Sequence, residues 1–210
     1  MNYFGLSFVI CVGFGLVAAG GQEQKPIKAV AVIGLGRAQG NVTLTQSACN
    51  EPCHIEISLV GLTPNQKHGF HIHDKGDLSG GCLSTAGHYN PDKMSHGAPN
   101  AQIRHVGDLG NIQADANGEC HTIISDSLVS LFGSRSVIGR GVVVHAGEDD
   151  LGLTDHPDSL TTGNAGARIG CGVIGIAESI AELPVCNSAS STTYNLLISI
   201  ALILLAKLFH

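Results

Sequence analysis

Eleven histidines stand in a chain of 210 residues, and six of them fall at spacings that suit metal binding. His71 and His73 flank Ile72 at the end of a strand-like run, Gly69-Phe70-His71-Ile72-His73. Side chains two apart share one face of a strand, so this pair can grip one ion together. A lone His-x-His is commonly just a solvated pair. Here His88, His96 and His105 recur downstream, Asp108 follows after a two-residue gap, and His145 ends the apolar run Val142-Val143-Val144. Imidazole suits copper and zinc, and a tetrahedral set of imidazoles with a carboxylate suits zinc. His54, His68, His121 and His156 lack a partner at ligand spacing and read as surface or turn residues. His210 lies in the C-terminal tail.

Positioning such a set takes strands and long loops. Segments 28–36, 41–47 and 54–61 are rich in β-branched residues and alternate or run apolar, which predicts strands. Further strands are expected at 69–73, 120–125, 141–145 and 172–177, and Cys49-Asn50-Glu51-Pro52-Cys53 reads as a hairpin loop. Connections 74–104 and 146–168 are long and carry Gly, Pro, Asp and His throughout, as functional loops do. The 28 glycines and the scarcity of helical periodicity point to an all-β antiparallel sandwich or barrel.

Composition narrows the partners. A formal net charge of −6 argues against nucleic acid, whose phosphates need a basic surface. It also leaves any attraction for an anionic substrate to local charges. The ends read as processing signals. Residues 4–19 are apolar and small residues follow, so 1–20 is expected to be a secretory signal peptide. Residues 22–178 form the domain and 179–195 a connector. The apolar run 196–209 is shorter than the roughly 20 residues a membrane span needs. Small residues at 187–191 precede it, so 196–210 reads as a glycosylphosphatidylinositol (GPI) anchor signal, with a retained tail anchor as the competing reading. Membrane contact is expected only through that anchor. Asn41-Val42-Thr43 is a glycosylation acceptor in an exported chain. Six cysteines remain outside the leader, an even number that suits disulfides in an oxidising compartment. Pairs Cys49–Cys53 and Cys120–Cys186 are expected among them.

The motifs resemble one known family. His71-x-His73, Cys82, Gly87-His88-Tyr89-Asn90-Pro91, His96-Gly97 and Arg104-His105-Val106-Gly107-Asp108-Leu109-Gly110-Asn111 resemble the copper/zinc superoxide dismutases. So do Val143-Val144-His145 and the run Gly163 to Gly175. The resemblance implies an eight-stranded antiparallel Greek-key barrel with two long functional loops. It implies copper held by His71, His73, His88 and His145, and zinc held by His88, His96, His105 and Asp108, so that His88 bridges the two ions. Asp149 would link His71 to His96, Cys82 would pair with Cys171, and Arg168 would draw the superoxide anion in. His88 would carry a proton in the reaction, which converts superoxide to dioxygen and hydrogen peroxide.

Two positions depart from the family. Thr161 stands where many members carry a guiding Lys seven residues before the Arg. The resemblance also implies a homodimer, yet Lys75 replaces an aromatic at the usual seam, and interface cores are depleted of charge. Gly76, Ile138, Gly139 and Ile176 keep the seam's pattern. The competing function is a superoxide-dismutase-like copper-binding domain without turnover. Loss of a copper histidine or of Arg168 would favour it, and none is lost.

Overall fold

The structure is a computed structural model that describes residues 26–178 and Cys186. The leader, the C-terminal tail and all of the connector except Cys186 lie outside the described residues. Nine strands follow in order: β1 (Ile27–Ile33), β2 (Leu35–Gly36), β3 (Gln39–Gln46), β4 (Cys53–Val60), β5 (Lys67–His73), β6 (Asp108–Gln113), β7 (Cys120–Asp126), β8 (Gly141–His145) and β9 (Arg168–Ile176). One short helix, α1 (Ser159–Thr162), lies in the second long loop, and a 3-10 turn (Gly81–Thr85) in the first.

Alternation builds the barrel wall. Along β4, Cys53, Ile55, Ile57 and Leu59 point inward while His54, Glu56, Ser58 and Val60 face out. Ile27, Ala29, Ala31 and Ile33 do the same on β1. Each buried Ile or Leu contributes about 1.5–3 kcal/mol, so a one-residue slip of either strand would forfeit a whole row. The hydrogen-bonded path runs β6-β5-β8-β9-β1-β3-β4-β7, with β2 adding a short pair to β9. All pairings are antiparallel. The end strands β6 and β7 are consecutive in the chain and lie side by side, so the sheet curls into a nearly closed Greek-key barrel of eight main strands. Near closure covers the edges that would otherwise pair with other chains.

Strands β5 and β8 break the alternation because both of their faces are covered. Phe70, Ile72, Val142 and Val144 fill the core. His71, His73 and His145 take the other face and are 0%, 1% and 4% exposed. The long loops roof that face.

The structure corrects three expectations. β6 is a strand that composition did not signal. His68 is fully buried, not a surface residue: Thr63 N–H donates to its Nε2 (3.1 Å) and its Nδ1 donates to the His145 carbonyl (2.8 Å). The expected pairs Cys49–Cys53 and Cys120–Cys186 do not form. Cys49 bonds Cys186 (Cα–Cα 5.6 Å), while Cys53 and Cys120 are buried free thiols. The reason lies in strand direction. Cys53 is the first inward residue of β4, and Cys120 sits opposite Leu59 at the other end of the same ladder. Six residues at about 3.3 Å each put Cys120 about 20 Å from the Cys53 end. Cys186 packs beside Gly133, at the Cys49 side. Burial, reinforced by Asp126, pushes the Cys53 thiol up to about 12.

Candidate metal centre

Strand register assembles half the site. His71 of β5 pairs with Val143 of β8 and His73 with Gly141, which leaves His145 one pleat further along the same face. A bulge between Gly69 and His71 sets His71 opposite Asp108, the first residue of β6. An isolated bridge joins His73 to His88. The first long loop then brings His88, His96 and His105 over the strand face.

The partners of each ring fix which nitrogen is free. His73 Nδ1 donates to the Ala86 carbonyl (2.8 Å) and His145 Nδ1 to the Gly166 carbonyl (3.0 Å). Each Nε2 is therefore left with a lone pair, and the two lie 3.4 Å apart. His71 Nε2 donates to Asp149 Oδ2 (2.9 Å) and His96 Nε2 to Asp149 Oδ1 (2.8 Å). Buried and without hydrogen bonds are His71 Nδ1, His88 Nε2 and His96 Nδ1. His96 Nδ1 does lie 3.0 Å from Asp108 Oδ1, but out of line for a hydrogen bond. Asp108 Oδ1 also faces His88 Nδ1 (2.8 Å) and His105 Nδ1 (3.0 Å), while its Oδ2 accepts from the backbone of Gly97 and His105.

Two donor sets result, each with its ligand atoms within 4.8 Å of one another: His71, His73, His88 and His145, and His88, His96, His105 and Asp108. Lone pairs converging out of water repel unless a cation lies among them, so the residues present fit two metal ions. Four imidazoles suit a redox-active copper; three with a carboxylate suit tetrahedral zinc. His88 belongs to both sets.

Electrostatics separate the two halves. Burial, helped by His88, pushes His71 down to about 3. Burial, working against the hydrogen bond to Gly166, holds His145 at about 4. His73 and His88 are lowered too, again mainly by burial. Neutral imidazole is the ligating form. Burial opposes charge on His96 as well, but the adjacent carboxylates of Asp108 and Asp149 outweigh it and raise that ring to about 9. Asp108 and Asp149 are held well below the usual carboxylate range, because donating imidazoles outweigh their burial.

Several supporting residues escaped sequence reasoning. Gly163, at φ +64°, leaves room for the Asp149 carboxylate; a Cβ there would collide with Asp149 Oδ1 and His96 Nε2. Asn111 clasps the Asp149 backbone from both sides (2.8 and 2.7 Å). Both lie inside motifs quoted above, and that was their only signal. Ala86, a non-glycine at φ +63°, turns its carbonyl to both His73 and Arg168. Arg168 pairs in register with His145 and donates to Cys82 O (2.7 Å), Thr85 Oγ1 (3.0 Å) and Ala86 O (2.6 Å). Among the described residues its partners are neutral, so its positive charge is uncompensated; burial lowers its pKa only from a very high value. The Cys82–Cys171 disulfide forms as the resemblance implied and ties the 3-10 turn to β9 beside that arginine.

Residues 38–174 match the family model of copper/zinc superoxide dismutase. The chain belongs to this family. The chain is 48% identical to an extracellular copper/zinc superoxide dismutase of Drosophila melanogaster over 183 residues, covering 84% of this chain and 99% of the relative. It is 53% identical to a copper/zinc superoxide dismutase of Candida glabrata over 153 residues, covering 72% and 99%. Its fold matches the crystal structure of the clock protein EA4 with a TM-score of 0.68 at 49% identity, covering 72% of this chain and 96% of that one. The family's enzymes are oxidoreductases that use copper and zinc, and this chain is one of them.

Proposed function

We propose that this superoxide dismutase uses His71, His73, His88 and His145 for copper and His88, His96, His105 and Asp108 for zinc. The observation that carries the assignment is His88, whose two ring nitrogens face different donor sets. When bound, copper supplies one-electron redox and zinc a fixed positive charge and a structural clasp. The reaction balances as two superoxide anions and two protons giving dioxygen and hydrogen peroxide. Arg168 attracts the anion to the mouth with a planar fork of donors. His88 Nε2 holds one of the two protons and delivers it; solvent supplies the other. Asp149 keeps His71 and His96 in their tautomers, so both sets keep their aim.

The enzyme acts outside the cell: 1–20 is cleaved, the domain of 22–178 follows, and the tail 196–210 is exchanged for a GPI anchor after the connector. Two disulfides, the apolar ends and the name of the Drosophila relative support this. A homodimer would pair through the seam of Gly76, Ile138, Gly139 and Ile176, with Lys75 beside it.

The test of the site is metal analysis of the purified protein together with the superoxide rate constant at several ionic strengths. One copper and one zinc per chain are expected. Arg168→Ala should keep both metals and lower the rate roughly tenfold or more, with a flatter salt dependence. Thr161→Lys should raise it. A rate and salt slope unchanged in Arg168→Ala would remove Arg168 from the role. Release of activity from cells by phosphatidylinositol-specific phospholipase C tests the anchor; a tail still present by mass spectrometry would overturn it.

A further inference from the structure

We propose that the Cys49–Cys186 disulfide reaches the zinc set through Gln46, Asp126 and Arg104, positioning residues that hold Asp108 in place, so that opening the bond loosens zinc. The inference rests on the ligand reading above. Apart from Asp108, none of these residues belongs to a donor set. One Asp108 carboxylate faces three imidazoles, so its own placement decides that set. Its backbone is fixed by Arg104, which donates from Nη1 to the Asp108 carbonyl (2.7 Å) and from Nη2 to Asp126 Oδ2 (2.5 Å). Arg104 and Asp126 are both buried. A buried guanidinium that loses its carboxylate is strongly unfavourable, so the two stay together. Asp126 ends β7, and its other oxygen accepts from the N–H groups of Leu128 and Val129 (2.8 Å each). The loop between β7 and β8 is thereby joined to the Asp108 backbone.

The same loop is joined to the turn that bears the disulfide. Gln46, buried at the end of β3, accepts from the Leu131 N–H (2.7 Å) and the Ser130 hydroxyl (3.3 Å) with Oε1. Its Nε2 donates to the Glu51 carbonyl (2.7 Å). Glu51 N–H donates to the Ala48 carbonyl and closes the turn in which Cys49 sits. Cys49 and Cys186 then form one wall of a cleft whose other wall is the loop, at Leu128, Ser130, Phe132 and Gly133. Cys186 Sγ stands 3.6 Å from where a Cβ on Gly133 would lie. Two residues on, Arg135 donates to Asp92 in the first long loop. The β7–β8 loop therefore takes its support from the disulfide and passes it to the roof of the site at two points, Asp92 and Asp108. Polar bonds out of water are costly to leave unmade, so this relay shifts as a whole and does not stretch at one joint. Without the bond nothing covalent keeps Cys186 against Gly133, and the slack arrives at Asp108.

The test uses the full chain and the double variant Cys49→Ser/Cys186→Ser, which opens the bond and leaves no reactive thiol behind. Loaded with both metals, it should consume superoxide as wild type does. Its zinc should pass to a chromophoric chelator about tenfold faster, within the range of about 10–100-fold seen when groups that orient ligands are removed. Asp126→Asn keeps an acceptor for Leu128 and Val129 but removes the charge facing Arg104, and it should speed zinc release similarly. Opening the disulfide in that background should then add no more than about twofold, whereas two independent losses of stability would multiply. If Asp126→Asn fails to fold, Gln46→Leu breaks the relay at its other joint and serves in its place. Hydrogen exchange on the metal-free chain reads the relay without zinc: the amides of Val129, Leu131 and His105 should lose protection in the disulfide variant, and those of β5 and β8 should keep it. Three results would each overturn the proposal: unchanged zinc release from the disulfide variant, full multiplication in the combined variant, or an equal loss of protection in β5 and β8. A wild-type chain that binds no zinc would instead remove the ligand reading, while the exchange pattern would still decide the relay.

Discussion

The two halves of the metal centre are built from different material. On the side proposed for copper, His71, His73 and His145 stand on β5 and β8, adjacent strands locked by a ladder of backbone hydrogen bonds. On the side proposed for zinc, His96 and His105 come from the 74–107 loop, and only Asp108 begins a strand. Strands hold their side chains whether or not an ion is present. A loop needs something to close it, and here that is a carboxylate facing three imidazoles. The copper half is thus preorganised by the barrel, while the zinc half organises the loop that roofs it.

The largest expected effect would break the copper half alone. His145→Ala should bring superoxide turnover to the detection limit while zinc content stays near one per chain. Activity surviving with normal copper would show that the ligand sets are drawn wrongly. Next comes Asp108→Ala, which removes the hub of the zinc half. A structural zinc site contributes directly to folding, and a lost partner for buried charge costs about 3–5 kcal/mol. The melting temperature should fall by on the order of 10 °C, and proteolysis should begin in the 74–107 loop. An unchanged melting temperature with zinc gone would mean the loop is held by other means.

The metal-free protein sharpens the contrast through pH. His71 and His145 have folded values depressed to about 3 and about 4, below the roughly 6.5 of an unfolded His. Their stability is present above 6.5 and is lost as pH falls toward those values. His96 is raised to about 9, so its contribution is present below 6.5 and is lost as pH rises toward 9. Metal-free melting temperature should therefore peak between pH 6 and 7, roughly. His96→Asn should flatten the alkaline limb and His145→Asn the acidic one; a monotonic profile would contradict the opposite signs. The smallest effect concerns Ala86, whose conformation (φ 63°, ψ −147°) is one that essentially only glycine adopts without strain. Ala86→Gly should relieve about 1–3 kcal/mol of strain at an entropic cost of about 0.5–1 kcal/mol. The melting temperature should rise by about 2–4 °C with activity unchanged. A fall would mean that the residue is unstrained where it stands.

These contrasts also show where sequence reasoning reaches. The donor clusters were legible because metal chemistry restricts candidates to few residue types at repeating spacings. β1, β3 and β4 were legible because one face is wet and the other dry, so alternation is written into the chain. β6 was not: Asp108-Leu109-Gly110-Asn111-Ile112-Gln113 carries a carboxylate of the second donor cluster, a φ +71° glycine and the Asn that clasps Asp149, so the site's demands overwrote the strand pattern. His68 was misread for a related reason. Its two hydrogen bonds run to backbone groups of residues 63 and 145, and the second depends on a fold not visible locally. The cysteine pairing failed because proximity in sequence says nothing about which side of a strand a thiol leaves from.

The Cys49–Cys186 bond has a mechanical meaning. Any pull on the chain beyond Cys186 crosses that bond and arrives at the turn between β3 and β4, as well as at the end of β9. Peeling β9 off the barrel one hydrogen bond at a time is the easy way to unravel a sheet from its last strand. With the bond in place, the disulfide is a covalent path from Cys186 to the β3–β4 turn that bypasses residues 177–185. A single backbone cut there would leave the domain and its tail joined, and letting go would take a reductant as well as a protease.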